Sequence, residues 1–151
     1  MPTARVTRTL PATSAAVWRV AADPYAMARW WPRVERMEGI TARKFTQVLR
    51  TARGRAVRAD FRVTEQEQGR RRVWSQDLEG SPFERILMQS VTELRVAPNR
   101  DGDADVTLEL RQKLRGMSRF GGFMAKRAAR KTLREALDGL QRAVAEEMAA
   151  S

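Results

Sequence analysis

With neither His nor Cys among its 151 residues, this chain must carry out any chemistry with carboxylates, guanidiniums, hydroxyls, amides and a single phenol. Imidazole-based triads, thiol nucleophiles, disulfides, iron–sulfur clusters and the usual zinc sites are excluded together. Tyr25 is the only Tyr, hence the only phenolic acid or hydrogen-bond donor. Several polar residues interrupt apolar strand faces. Gln112 continues the face of Val106, Leu108 and Leu110, Ser90 and Thr92 continue that of Ile86 and Met88, and Gln47 lies between Phe45 and Leu49. A buried polar group must find a partner. The set therefore reads either as a few amide and hydroxyl contacts in a mostly apolar pocket, or as groups satisfied by sheet ends and water.

The second chemical feature is charge. Lys and Arg number 29 against 18 acids, a formal net charge of +11. Such a surface attracts phosphates, carboxylates and acidic proteins alike, so it selects a partner class weakly. Its densest stretch is "RFGGFMAKRAARK", residues 119–131, without one acid. Positive charge in the first half of a helix opposes the macrodipole, so helix stability does not explain it. Two readings stand: an anion-attracting surface at a pocket mouth, or a solvated face paired with acids on neighbouring loops. Because interior Gly costs a helix about 1 kcal/mol relative to Ala, Gly121-Gly122 predicts a helix that starts near Gly122, with residues 116–122 a loop able to gate entry. "GRRR" at 69–72 reads as a solvated hairpin tip rather than a nucleic-acid motif.

The elements that must position these groups follow from periodicity. "TARVTRTL", residues 3–10, is a strand ending at Pro11. Thr13 or Ser14 caps a helix through "SAAVWRVAAD" with Val17, Trp18 and Ala21 on one face. Asp23-Pro24 opens a second short helix, "PYAMARWW", which Pro32 ends. Residues 33–115 then alternate with period two. In "RAVRADFRV", Val57, Ala59, Phe61 and Val63 oppose Arg58, Asp60 and Arg62. Turns at "RTARGR", "EQGRR", "EGSP" and "PNRDGD" divide the region into roughly six strands at hairpin spacing. Leu133, Leu137, Leu140 and Val144 mark one long closing helix. The fold class is α+β: a curved antiparallel sheet of about seven strands around a long C-terminal helix, one domain over residues 1–151. No run approaches the 18 or so apolar residues of a membrane span, and the N-terminus lacks a signal-type segment, so a cytoplasmic location is expected.

That order, with "VTRTLPATSAAVWRVAADPYAMARWWPRVE" and its Val17-Trp18, Asp23-Pro24 and Trp31-Pro32 pairs, then "GSPF" at 80–83 and "ADVTLELRQKL", resembles the helix-grip proteins of the START-like superfamily (SRPBCC), in the polyketide cyclase/dehydrase and lipid-transport branch. The resemblance covers nearly the whole chain. It implies a cavity for an apolar or aromatic molecule between sheet and helix, opening toward the hairpin loops. It also implies either a carrier of lipids, polyketides or similar molecules, or a cyclase or aromatase without metal. Fold alone does not choose.

Under that implication the expected ligand-facing residues are Tyr25 and Trp30, then Phe45, Gln47, Leu49 and Phe61 on the first sheet half. Met88, Ser90, Leu110 and Gln112 follow on the second, and Phe120, Phe123 and Met124 at the helix start. Of the Trp pair, Trp31 matches the family's Trp-Pro and is expected under the sheet edge, leaving Trp30 for the cavity or surface. For the enzyme alternative, the family's aromatases use a cavity Arg. The nearest match is Arg62, with Asp77 and Tyr25 as companions, but the alternation points Arg62 outward unless a bulge reverses it. The reading settles on a binding protein with an apolar small-molecule partner, no cofactor and no catalytic residue. An acidic carrier protein or an anionic ligand group is an additional partner, and a nucleic-acid or ribosome-associated module the distant alternative.

Overall fold

The computed structural model describes residues 2–116 and 119–151, apart from the side chains of Arg119 and Phe120. Strand β1 (Thr3–Leu10) leads to helix α1 (Ser14–Ala21) and a 3₁₀ segment, Pro24–Arg29. Strands β2 (Val34–Glu38), β3 (Lys44–Arg50), β4 (Ala56–Glu67) and β5 (Arg71–Asp77) follow, then a second 3₁₀ segment, Pro82–Arg85, strands β6 (Leu87–Pro98) and β7 (Ala104–Leu114), and helix α2 (Arg119–Ala150). One seven-stranded sheet runs β1-β7-β6-β5-β4-β3-β2, with every pairing antiparallel. Hairpins join β2 to β7 in succession, and β1 closes back beside β7. The architecture is the α+β helix-grip arrangement expected from the sequence.

The caps fall where the sequence places them. The Thr13 hydroxyl accepts the Ala16 N–H at 3.2 Å, and the Asp23 carboxylate accepts the Tyr25 N–H at 2.9 Å ahead of Pro24. These satisfy orphan donors at each helix start. The second 3₁₀ segment is additional to the expected elements, although its signal is present: Ser81 accepts the Phe83 N–H at 3.2 Å, with Pro82 in the first helical position.

Along β4, Ala59, Phe61 and Val63 are buried while Arg58, Asp60 and Arg62 are exposed, as period two demands. They belong to one hydrophobic core with the buried side chains of α2, namely Ala129, Leu133, Ala136, Leu137, Leu140, Ala143 and Val144. The helix begins at Arg119, so Gly121 and Gly122 lie inside it rather than in a gating loop. Their conformational cost lowers helix stability without stopping propagation. Residues 117 and 118 of the expected loop lie outside the described residues.

One close approach fixes where α2 sits. A Cβ built on Gly139 would overlap the Trp30 carbonyl oxygen and lie 2.9 Å from the Trp30 Cα, so only a residue without a side chain lets the helix rest on the backbone that follows the first 3₁₀ segment. At Gly122, by contrast, an added Cβ meets nothing within 4 Å.

The convex face carries an ionic ladder. Glu93 is only 5 % exposed. It accepts from Arg71 at 3.3 Å and Arg111 at 3.4 Å, and from Arg95. Arg71 also reaches Glu65, and Glu109 joins Arg5 to Arg111. Burial pushes the Glu93 carboxyl up, but the hydrogen bonds from Arg71 and Arg95 outweigh it and hold the group at about 2. Two of the three arginines of "GRRR" are therefore structural rather than solvated. Arg71 belongs to this ladder, and buried Arg72 donates to Gln66 at 2.5 Å, with desolvation lowering its pKa against the field of Asp23.

The packing at the two glycines has opposite consequences for substitution. Gly122→Ala is expected to stabilise the fold by about 0.5–1 kcal/mol, and Gly139→Ala to destabilise it by about 1–3 kcal/mol, because one site is open and the other is blocked by backbone. Thermal unfolding of both variants checks the opposite signs. For Glu93 the folded value lies below the ordinary 4.5, so its contribution, at most about 3 kcal/mol, is complete above that value and is lost as pH falls from 4.5 toward 2. Denaturant titrations of the wild type and Glu93→Gln should differ at neutral pH and converge across that window. A constant difference would place the pH dependence elsewhere.

Candidate functional site

A pocket of about 470 Å³ opens where the hairpin ends of the sheet meet α2. One wall is Trp31 and Pro32 with Arg33. A second comes from the end of β3 and its hairpin, Leu49 to Ala52, with Val57 on β4. Pro82, Phe83 and Ile86 of the second 3₁₀ segment form the third, and Thr132 of α2 closes it. The walls are mainly apolar, and the polar atoms sit at the rim. A larger, more open concavity of about 800 Å³ lies outside the β4–β5 hairpin, lined by Glu67 to Arg71 and Arg95 to Pro98. With Glu67, Arg70, Arg71 and Arg95 in its walls and no aromatic side chain among its described lining residues, it suits an apolar molecule less well.

Behind the pocket runs a chain of aromatic contacts. Trp30 and Trp31 meet edge to face at 5.5 Å between ring centroids, Trp31 meets Trp74 at 6.1 Å and Trp74 meets Phe45 at 6.4 Å. Phe45 stacks on Phe61 at 5.3 Å. Each such pair contributes about 0.5–1.5 kcal/mol beyond the area it buries. Trp31 is thereby held rigidly with part of its surface in the pocket wall.

The assignment of the two adjacent Trp residues is the reverse of the sequence expectation. Trp30 is 2 % exposed, buried beneath α2 at the Gly139 contact. Trp31 lines the cavity. The expectation rested on the match of Trp31-Pro32 to the family's Trp-Pro; here Trp30 ends the 3₁₀ segment with φ −132° and ψ −29°, which turns the two rings to different sides.

Of the other expected residues, Leu49 is in the wall. Phe45 and Phe61 are buried behind it, and Gln47 is buried with its amide donating to the Met27 sulfur at 3.3 Å. Ser90 and Gln112 are cross-strand partners, beside the Thr92 and Leu110 pair, farther into the sheet. Met88 is 48 % exposed, because a register shift between Leu87 and Gln89 breaks the alternation that would align it with Ser90. Tyr25 is 74 % exposed. Phe120 lies outside the described side chains.

Phe123 and Met124 are exposed. Phe123 shares a shallow groove with Lys126, Arg127, Arg130 and Arg134 along one flank of α2, apart from the pocket's Thr132. The ion pairs of α2 among the described residues are made by Asp138 with Arg8 and by Glu146 and Glu147 with Arg29. Among its described side chains the basic half therefore neither pairs with loop acids nor rims the pocket.

The residues considered for an enzymatic role also disperse. Arg62 is on the convex face, 3.7 Å from Asp77. The β4 register shift falls between Val63 and Glu65, too late to turn Arg62 inward. Sequence reasoning missed Arg33, Phe83, Ile86 and Thr132, and also Gln76. Gln76 pairs with Phe61 on the concave face, and its amide nitrogen is buried without a partner, as is the Trp30 ring nitrogen. The phrases "WPRV" and "SPFE" carried the available signal, as turn and cap motifs.

This geometry has relatives. No curated protein matches the chain. Among solved structures, a conserved protein from Geobacillus kaustophilus is 17% identical with TM-score 0.78, covering 95% of this chain and 95% of its own. A START superfamily protein from Mycobacterium smegmatis is 12% identical with TM-score 0.77, covering 95% and 97%, and a protein from Thermus thermophilus is 23% identical with TM-score 0.73, covering 99% of each. They share the fold. The family described as polyketide cyclase / dehydrase and lipid transport matches residues 1–145, and this chain, with its sheet gripping α2 over a pocket open at the hairpin ends, belongs to that family.

Proposed function

We propose that the chain binds an apolar or aromatic small molecule in the pocket between the hairpin ends and α2, as a carrier or sensor rather than a catalyst. The observation that carries this reading is a cavity of about 470 Å³ with apolar walls and a rigidly backed Trp31, within the size range of small-molecule sites. Burying apolar area there is worth about 25 cal/mol per Å². The cyclase reading is less favoured because Arg62 and Asp77 stand on the convex face and Tyr25 is exposed on the first 3₁₀ segment. No helix among the described residues is long and apolar enough to cross a membrane.

The test fills the pocket. Wild-type protein is expected to raise the fluorescence of Nile red, a neutral apolar probe, and Thr132→Trp, at the one described α2 position in the wall, to weaken that binding at least about tenfold while unfolding within a few degrees of the wild type. Phe123→Ala, on the outer flank of α2, is expected to change nothing. Absence of binding by the wild type would overturn the pocket reading, and equal binding by Thr132→Trp would place the site elsewhere.

A further inference from the structure

Resting on that pocket, we infer that its occupant is an amphiphile with an apolar body and a single carboxylate, gripped at the mouth by Arg33. The backbone supplies the first argument. Arg33 has φ +66° and is the one non-glycine residue with positive φ among the described residues. It occupies the third position of the turn Trp31–Val34, closed by the Val34 N–H on the Trp31 carbonyl at 3.4 Å, with Pro32 in the second. Turns of this pattern favour Gly or Asn there, and a side chain with a Cβ is strained in this region. The turn is held in place by the Arg50 N–H, which donates to the Arg33 carbonyl at 2.9 Å. A residue that disfavours its own backbone conformation sits on the rim of the apolar pocket.

Charge supplies the second argument. Arg50, also on the rim, is already engaged: it donates to Glu35 at 2.5 Å and to the Gly54 carbonyl at 2.8 Å. Arg33 makes no ion pair among the described residues. Glu35 also pairs with Arg36 at 3.7 Å, so of the two guanidiniums in the described lining that of Arg33 is the planar fork left free. A guanidinium fork matches a planar carboxylate through two parallel hydrogen bonds, and one free fork fits one carboxylate head. The apolar walls behind, Trp31, Leu49, Phe83 and Ile86, take the body.

Calorimetric titration with decanoate and decan-1-ol, which share a chain and differ in head group, tests this. The wild type is expected to bind decanoate more tightly than the alcohol. Arg33→Asn and Arg33→Gly suit the left-handed backbone, so both should fold with Tm at or above the wild-type value. Both should lose about tenfold in decanoate affinity while keeping decan-1-ol within about twofold, and Arg33→Lys should retain part of the preference. If both probes bind and the Arg33 variants change neither, or weaken both equally, the carboxylate assignment falls while the pocket stands. If neither probe binds the wild type, the pocket reading falls and this inference with it.

Discussion

The contact between Gly139 and the backbone of Trp30 sets the geometry on which the rest of the molecule depends. Without room for a Cβ, α2 is pinned at its middle onto the residues that follow the first 3₁₀ segment. From Ala129 to Val144 it fills the concavity of the sheet with Ala, Leu and Val. Before Ala129, residues 121–128 contribute no buried side chain. A helix fixed in this way along its second half covers one end of the sheet and leaves the other end open. The pocket occupies that open end, bounded by whatever the hairpins and short 3₁₀ segments provide.

The same contact explains the division of labour between the two Trp residues. Trp30 is consumed in seating the helix, and its ring nitrogen is buried without a partner, a cost accepted for close packing. Trp31, one residue on, turns to the cavity and is braced by Trp74, Phe45 and Phe61. The wall of the site and the core of the fold are thus one continuous aromatic layer. The convex face needs no apolar cover. Its Glu93 and Glu109 are satisfied by Arg5, Arg71, Arg95 and Arg111, which absorbs part of the large positive charge into cross-strand pairing.

The remaining cations divide by location rather than by density in the sequence. The cluster Lys126, Arg127, Arg130 and Arg134 is conspicuous in the chain yet lies on an outer flank of α2. A single Arg33, inconspicuous in the chain, stands on the pocket rim in a strained turn.

The amino-acid sequence by itself determined the strands, the first short helices, the closing helix and their order, though neither the second 3₁₀ segment nor the start of α2, because period two in β4 and β7, the caps at Thr13 and Asp23, and the leucine spacing of α2 are local consequences of backbone geometry and burial. It also determined which side of β4 faces the core, since alternation survives wherever no residue is inserted. What it left open was decided by long-range packing. The register shift at Leu87–Gln89 moved Met88 to the surface, the turn after the 3₁₀ segment exchanged the roles of Trp30 and Trp31, and the approach at Gly139 determined how much of the concavity α2 fills. Each depends on residues tens of positions apart meeting at distances of a few ångströms. A pocket is the space such contacts leave unfilled, and no periodicity along the chain records it.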